Sequence, residues 1–193
     1  MKKLITLLMT FAVTLSVFSP VSYADATKIV TLGADLSDEQ KQTVLNFFGI
    51  DDLGTVQAIE INNTEEHETL GDFVPAEQIG TKTYSCAYIE PTNSGGINVK
   101  TANLTYVSNQ TLANALMTAG IQNCNLIVTA PFPVSGTGAL TGVYKAYDSM
   151  GKKLDEDKKV VATQELLVTS EMEETYGDEI NQVITEIKDE VIE

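Results

Sequence analysis

The chain has 193 residues, and its 27 aspartates and glutamates outnumber 12 basic residues, giving a formal net charge of −15. Every basic residue is a lysine. An acidic chain without arginine lacks the bidentate fork and the clustered positive charge that DNA, RNA and anionic lipid headgroups require, so nucleic acid and a lipid surface are not expected partners. The plain reading of the charge is that it keeps the protein soluble.

The first element is an export signal. Lys2 and Lys3 form a basic start, Leu4 to Phe18 is apolar and hydroxyl-bearing without a charge, and Pro20 breaks the run. Ser22-Tyr23-Ala24 then places small residues at the positions signal peptidase reads, so cleavage is expected between Ala24 and Asp25. The apolar run falls short of the roughly 20 residues that span a bilayer, and no transmembrane segment is expected in the mature protein. The expected layout is a signal peptide over 1–24, an α/β domain over 25–150 and an acidic helical tail over 151–193. The expected location is extracytoplasmic, secreted or held at the cell envelope.

Ser37-Asp38-Glu39-Gln40 is a capping box, so a helix is predicted from 37 to 48 with Val44, Leu45, Phe47 and Phe48 supplying an apolar face and Gly49 ending it. Val56 to Ile61 alternates and reads as a strand. Asn62-Asn63-Thr64 turns into an acidic segment, Glu65 to Leu70, of one or two helical turns. Thr83 to Ile89 and Ile97 to Tyr106 both carry strand character. The turn formers between them, Pro91 to Gly96, predict a β-hairpin with a longer loop.

Ser108 or Asn109 caps a predicted helix to Ala119, which Gly120 ends. Leu126 to Ala130 reads as a short buried strand, stopped by Pro131-Phe132-Pro133. Ser135 or Thr137 then opens a helix that continues through Tyr147. After Gly151 the composition changes. The mixed-charge run Lys152 to Lys159 precedes a helix over 160–169. Ile180, Val183, Ile184, Ile187 and Val191 fall at helical spacing, among nine acidic residues and one lysine between Glu171 and Glu193. That stripe is expected to dock on the domain; the other reading is a helix offered to a partner. Strands alternating with helices predict a single mixed α/β (α+β) domain, a small mixed sheet covered by helices, in the order α-β-(α)-β-β-α-β-α plus the tail.

Cys86 and Cys124 are the only cysteines. In an oxidising compartment they permit one disulfide, worth roughly 4 kcal/mol in the chain-entropy model; equally they read as two buried thiols. His67, the only histidine, sits among Glu65, Glu66 and Glu68 and reads as solvated surface rather than a general base. Too few nitrogen and sulfur ligands exist for a zinc site, and Asp155-Glu156-Asp157 lacks the spacing of a calcium loop, so no metal and no cofactor are expected. Ser135-Gly136-Thr137-Gly138 follows a buried strand and opens a helix, where amides and the helix dipole bind small anions or carboxylates. It lacks the lysine of a phosphate loop and the first glycine of a nucleophile elbow. Its structural reading is a cap plus glycines that let the helix lie close to the sheet.

Pro131 to Gly142, with Ser85 to Pro91 and Ala115 to Gly120, resembles the YpuA-like family of exported proteins of unknown function from Gram-positive bacteria, across about Asp35 to Tyr147. The resemblance implies a place at the envelope of a single-membrane cell and carries over no catalytic residue. The expected function is a non-enzymatic binding or structural module whose partner is an envelope protein or a wall polymer. The alternative is a hydrolase or transferase using Ser135 or Thr137.

Overall fold

The computed structural model describes residues 28–177 and 179–192, so the expected signal segment and the Ala24–Asp25 cleavage point lie outside the described residues. Five strands, β1 (Ile29–Gly33), β2 (Gln57–Ile61), β3 (Cys86–Pro91), β4 (Ile97–Leu104) and β5 (Cys124–Val134), form one mixed sheet in the order β2-β1-β3-β5-β4. Two parallel pairs, β1 with β2 and β4 with β5, flank β3, which runs antiparallel to both neighbours. Each parallel pair is bridged by a helix: α1 (Asp38–Phe48) links β1 to β2, and α4 (Asn109–Thr118) links β4 to β5. The connection from β2 to β3 carries two short helices, α2 (Asn63–Leu70) and α3 (Ala76–Ile79). After β5 come α5 (Thr137–Ser149), α6 (Glu156–Tyr176) and α7 (Glu179–Ile192). The mixed α/β fold with helices over a single sheet is as expected.

The helix starts follow from local chemistry. Ser37 accepts from the Gln40 amide while the Gln40 side chain accepts from the Ser37 amide, and Ser108 and Asn62 do the same with Thr111 and Glu65. Each box satisfies two amides that the first turn leaves without partners. Asp155 caps α6, which therefore begins inside the mixed-charge run and continues to Tyr176, well beyond the predicted 160–169.

Alternation along the strands sorts side chains onto two faces. Ile29, Ala87, Ile89, Leu126 and Val128 join the larger core, which Leu112, Leu116, Leu140 and Leu166 fill from α4, α5 and α6. Val30, Leu32 and Cys86 face the smaller core under α1, with Val44, Leu45 and Phe48. The region after Gly151 thus shares the main core, through Ala162 and Leu166.

Four sequence expectations are corrected. The order begins with β1, not with a helix: Ile29 to Leu32 is a short apolar run close behind the expected signal segment, and its pairing partners lie far along the chain. The β3–β4 hairpin does not form, because β5 lies between them and pairs with both. β5 is the more buried strand and takes the inner position, whereas half-exposed β4 takes the edge. Pro131 and Pro133 do not end β5. The β3 ladder stops at Thr129, so prolines beyond it remove no amide that β3 needs, and the β4 side shifts register between Ala102 and Leu104. Finally, of the two readings of the cysteines the disulfide is overturned and the pair of buried thiols holds, since Cys86 and Cys124 are free.

The cysteines cannot bond because of sheet geometry. Cys86 pairs with Thr129 and Cys124 pairs with Pro91, so they stand at opposite ends of the β3–β5 ladder, about 16 Å apart along the strands. They also point into opposite cores. A disulfide needs Cα atoms within about 7 Å. Burial pushes the Cys86 thiol up to about 12 and the Cys124 thiol upward as well, so both are poor nucleophiles in the folded protein. Alkylation without reductant is therefore expected to add two labels after denaturation and to proceed slowly on the native protein. Label uptake that requires reductant would contradict this.

Candidate functional site

The strand-to-helix turn that the sequence singles out is built around a carboxylate from elsewhere in the chain. Gly136 has φ 93°, a left-handed conformation that glycine adopts without strain, and it caps α5 through its backbone; neither Ser135 nor Thr137 caps the helix. A side chain at Gly136 would also meet Val107 and Leu104. Thr137, fully buried, instead donates its hydroxyl to Glu66 Oε1 at 2.5 Å. Thr83 donates to Glu66 Oε2 at 2.7 Å. Ser135, partly exposed, lies 3.1 Å from Thr137 Oγ1, hydroxyl to hydroxyl.

Glu66 is itself only 2% exposed. It reaches this place because the Asn62–Glu65 box starts α2, and Glu66 shares with Leu70 the helix face turned inward, at spacing i, i+4. α2 packs against α5. Desolvation raises the Glu66 pKa above the ordinary carboxylate value, partly opposed by the two threonine hydrogen bonds. The side chains at the start of α5 thus meet the protein's own carboxyl group, which accepts from the Thr137 and Thr83 hydroxyls. Sequence reading missed Glu66 because it stands in an acidic run; the signal that would have found it is its i, i+4 relation to Leu70.

Gly138 completes the arrangement. A Cβ there would stand 2.7 Å from Thr83 Cγ2 and 3.0 Å from both Glu66 Oε2 and Ser85 Oγ. One turn on, a Cβ at Gly142 would stand 2.5 Å from Thr31 Oγ1 and 2.9 Å from Thr31 Cβ. Both glycines lie on the α5 face that rests on the sheet. His67 takes no part: it is exposed, and its Nε2 meets the Gly80 carbonyl oxygen at 3.0 Å.

A separate cleft of about 530 Å³, within the size range of small-ligand sites, opens between α2, α5 and α6. Neither Ser135 nor Thr137 lines it. Its rim carries the Lys145–Glu65 ion pair, and Lys159 bridges Asp148 at 2.8 Å and Glu156 at 3.1 Å. Glu65 stays below the ordinary range although burial opposes this, because Lys145 and the Asn62 amide hold it charged. The Tyr144 hydroxyl approaches Thr163 without reaching hydrogen-bonding geometry, and burial pushes it up to about 12. Among the described residues no group of three or more His, Cys, Asp or Glu side chains is placed to hold a metal ion. No helix among them is long and apolar enough to cross a membrane.

A raised Glu66 pKa means that the folded state holds the proton more tightly than the unfolded chain, so Glu66 stabilises at low pH and loses that contribution as pH rises through its folded value. Glu66→Gln is expected to be at least as stable as wild type at pH 7, since Thr137 can donate to Ser135 instead, with the advantage shrinking toward pH 5. Glu66→Ala leaves two buried hydroxyls and a void, and is expected to cost about 2–4 kcal/mol in urea unfolding. A Glu66→Gln variant weakened as much as Glu66→Ala would show that the ionised carboxylate holds the turn.

Residues 32–193 match a family described as "Protein of unknown function (DUF1002)". The uncharacterized protein YpuA of Bacillus subtilis (strain 168) is 43% identical over 196 aligned positions, which cover 98% of this chain and 67% of the relative. No solved structure matches the chain. The resemblance carried by residues 131–142 therefore holds, and the chain belongs to the DUF1002 family of proteins of unknown function.

Proposed function

We propose that this chain is an exported protein of the cell envelope that works by binding rather than by turnover. The observation that carries the reading is the state of Thr137. The hydroxyl best placed at the strand-to-helix turn is fully buried and donates its hydrogen bond to Glu66, so it serves packing. The basic, apolar and small-residue segments ahead of Asp25 support export, and the acidic, arginine-free chain favours protein or uncharged polymer contacts over nucleic acid. The partner is an envelope protein or a wall polymer.

One observation favours a second reading. Ser135, Thr137 and Glu66 form a continuous hydrogen-bonded line from a partly exposed hydroxyl to a buried carboxyl group, the outline of an acyl-transfer relay at Ser135. A threonine hydroxyl is a poor base, and the open cleft lies elsewhere, so this reading ranks second.

The test is fractionation of cells that make the protein, followed by sedimentation of the purified mature form with envelope material. The expected result is a chain beginning at Asp25 outside the membrane that co-sediments with the envelope fraction and ignores a fluorophosphonate serine reagent. A cytosolic chain retaining Met1, or a mature chain that never co-sediments, would sink the proposal. Reagent labelling that Ser135→Ala abolishes would establish the second reading instead.

A further inference from the structure

The apolar stripe of α7 is only partly turned inward as α7 docks: Ile180 and Ile184 are half-buried, Val183 and Ile187 exposed. Three polar residues fasten the helix. Asn181, 1% exposed, donates to Glu173 Oε2 of α6 at 2.7 Å, and Thr185 donates to Asn114 Oδ1 of α4 at 3.2 Å. Lys188 donates to the Asn114 carbonyl at 2.8 Å and to Thr118 at 2.7 Å, and pairs with Glu165 of α6. These residues follow i, i+4, i+7 and share one line along the helix. Ile180, Val183, Ile184 and Ile187 share another line, about a third of a turn away. The helix docks as expected, but Val183 is 49% and Ile187 56% exposed, so the expectation that the stripe buries itself is corrected for that outer part of it.

The neighbouring edge of α6 matches it. Val161, Glu165, Val168 and Met172 follow i, i+4, i+7, i+11, and Glu165 reaches Lys188, so this line borders α7. Val161 is 51% and Val168 52% exposed. Thr185 leans toward α4 on one side of the docking line, which leaves the isoleucines on the side of α6. The Glu165–Lys188 pair therefore clips two half-exposed apolar lines side by side into one seam.

The charges around the seam select its occupant. Glu171 and Glu174 of α6, and Glu179, Glu186 and Glu190 of α7, are exposed, while the one lysine of α7 is committed to α4 and α6. We infer that the α6–α7 seam binds a lysine- or arginine-rich amphipathic segment of a partner protein, whose apolar side covers the valines and isoleucines while its basic flanks meet the glutamates. This is recognition of a helix in a groove. A second copy of the chain would set these glutamates against one another, and an anionic lipid or wall polymer would be repelled by the same charges. The inference deepens the binding reading above and rests on it.

The probe is a fluorescein-labelled peptide of about 18 residues made of leucine and lysine, with the leucines on one helical face, against a shuffled peptide of equal composition that has no apolar face. Anisotropy is expected to show at least about tenfold tighter binding of the amphipathic peptide to the mature protein. The same loss, about tenfold, is expected in the double variant Val168→Ser, Ile187→Ser, whose exposed sites leave the thermal midpoint unchanged. Glu186→Gln with Glu190→Gln should reduce the salt dependence. Equal binding of both peptides, unchanged binding by the serine variant, or a chain mass that doubles with concentration until Ile187→Ser is introduced would each overturn the seam. Retained co-sedimentation with the envelope in that case would leave the binding reading standing; loss of both would remove it too.

Discussion

Helix α5 lies against the sheet with no side chain of its own at two successive turns, because Gly138 and Gly142 present bare backbone to the side chains of Thr83, Ser85 and Thr31. Much else follows from that approach. Leu140, Val143 and Tyr144, on the side of the same helix turned away from the glycines, reach the main core, and α2 comes close enough to set Glu66 beneath the first turn of α5. The cleft between α2, α5 and α6 is the space left beside this tight seat. Thr31 is fixed from below, since its hydroxyl accepts from the Ala87 amide at 3.2 Å. Being β-branched and 1% exposed, it has little freedom to move aside.

The turn at residues 135–138 looks like a ligand site when read locally. What fills it is internal. A buried carboxyl group from α2, held by two threonine hydroxyls, ties a helix to the strand-to-helix corner. Its raised pKa makes it a packing group as much as a charge, and this favours placing the working surface elsewhere on the molecule. The α6–α7 seam brings half-exposed valines and isoleucines together with exposed glutamates.

How much of this was legible in the sequence depended on range. Most features decided within four residues read correctly, among them the Ser37–Gln40 box, the Ser108 cap and the stop at Gly120, whose φ is 93°; the α5 cap, which falls on Gly136 rather than Ser135 or Thr137, did not. Features decided by distant pairing did not. Pro91 to Gly96 has the composition of a hairpin loop, yet the insertion of β5 is set by which strand most needs burial on both sides. Pro131 and Pro133 read as breakers because the end of the β3 ladder at Thr129 is invisible locally. The cysteines had a suitable sequence separation and the wrong faces. α7 was foreseen as an amphipathic helix, but its spacing could not tell that Asn181, Thr185 and Lys188, rather than the isoleucines, would hold it down.

The glycine seat on α5 can be tested by the sign of a single stability change. In an exposed helix, alanine is favoured over glycine by about 1 kcal/mol. At Gly142 the added methyl group would fall 2.5 Å from Thr31 Oγ1, so the opposite is expected: urea unfolding of Gly142→Ala should show a loss of about 1–3 kcal/mol. A variant as stable as wild type, or more so, would mean that α5 does not rest on the sheet at this distance, and the account of the core and of the Glu66 anchor would fail with it.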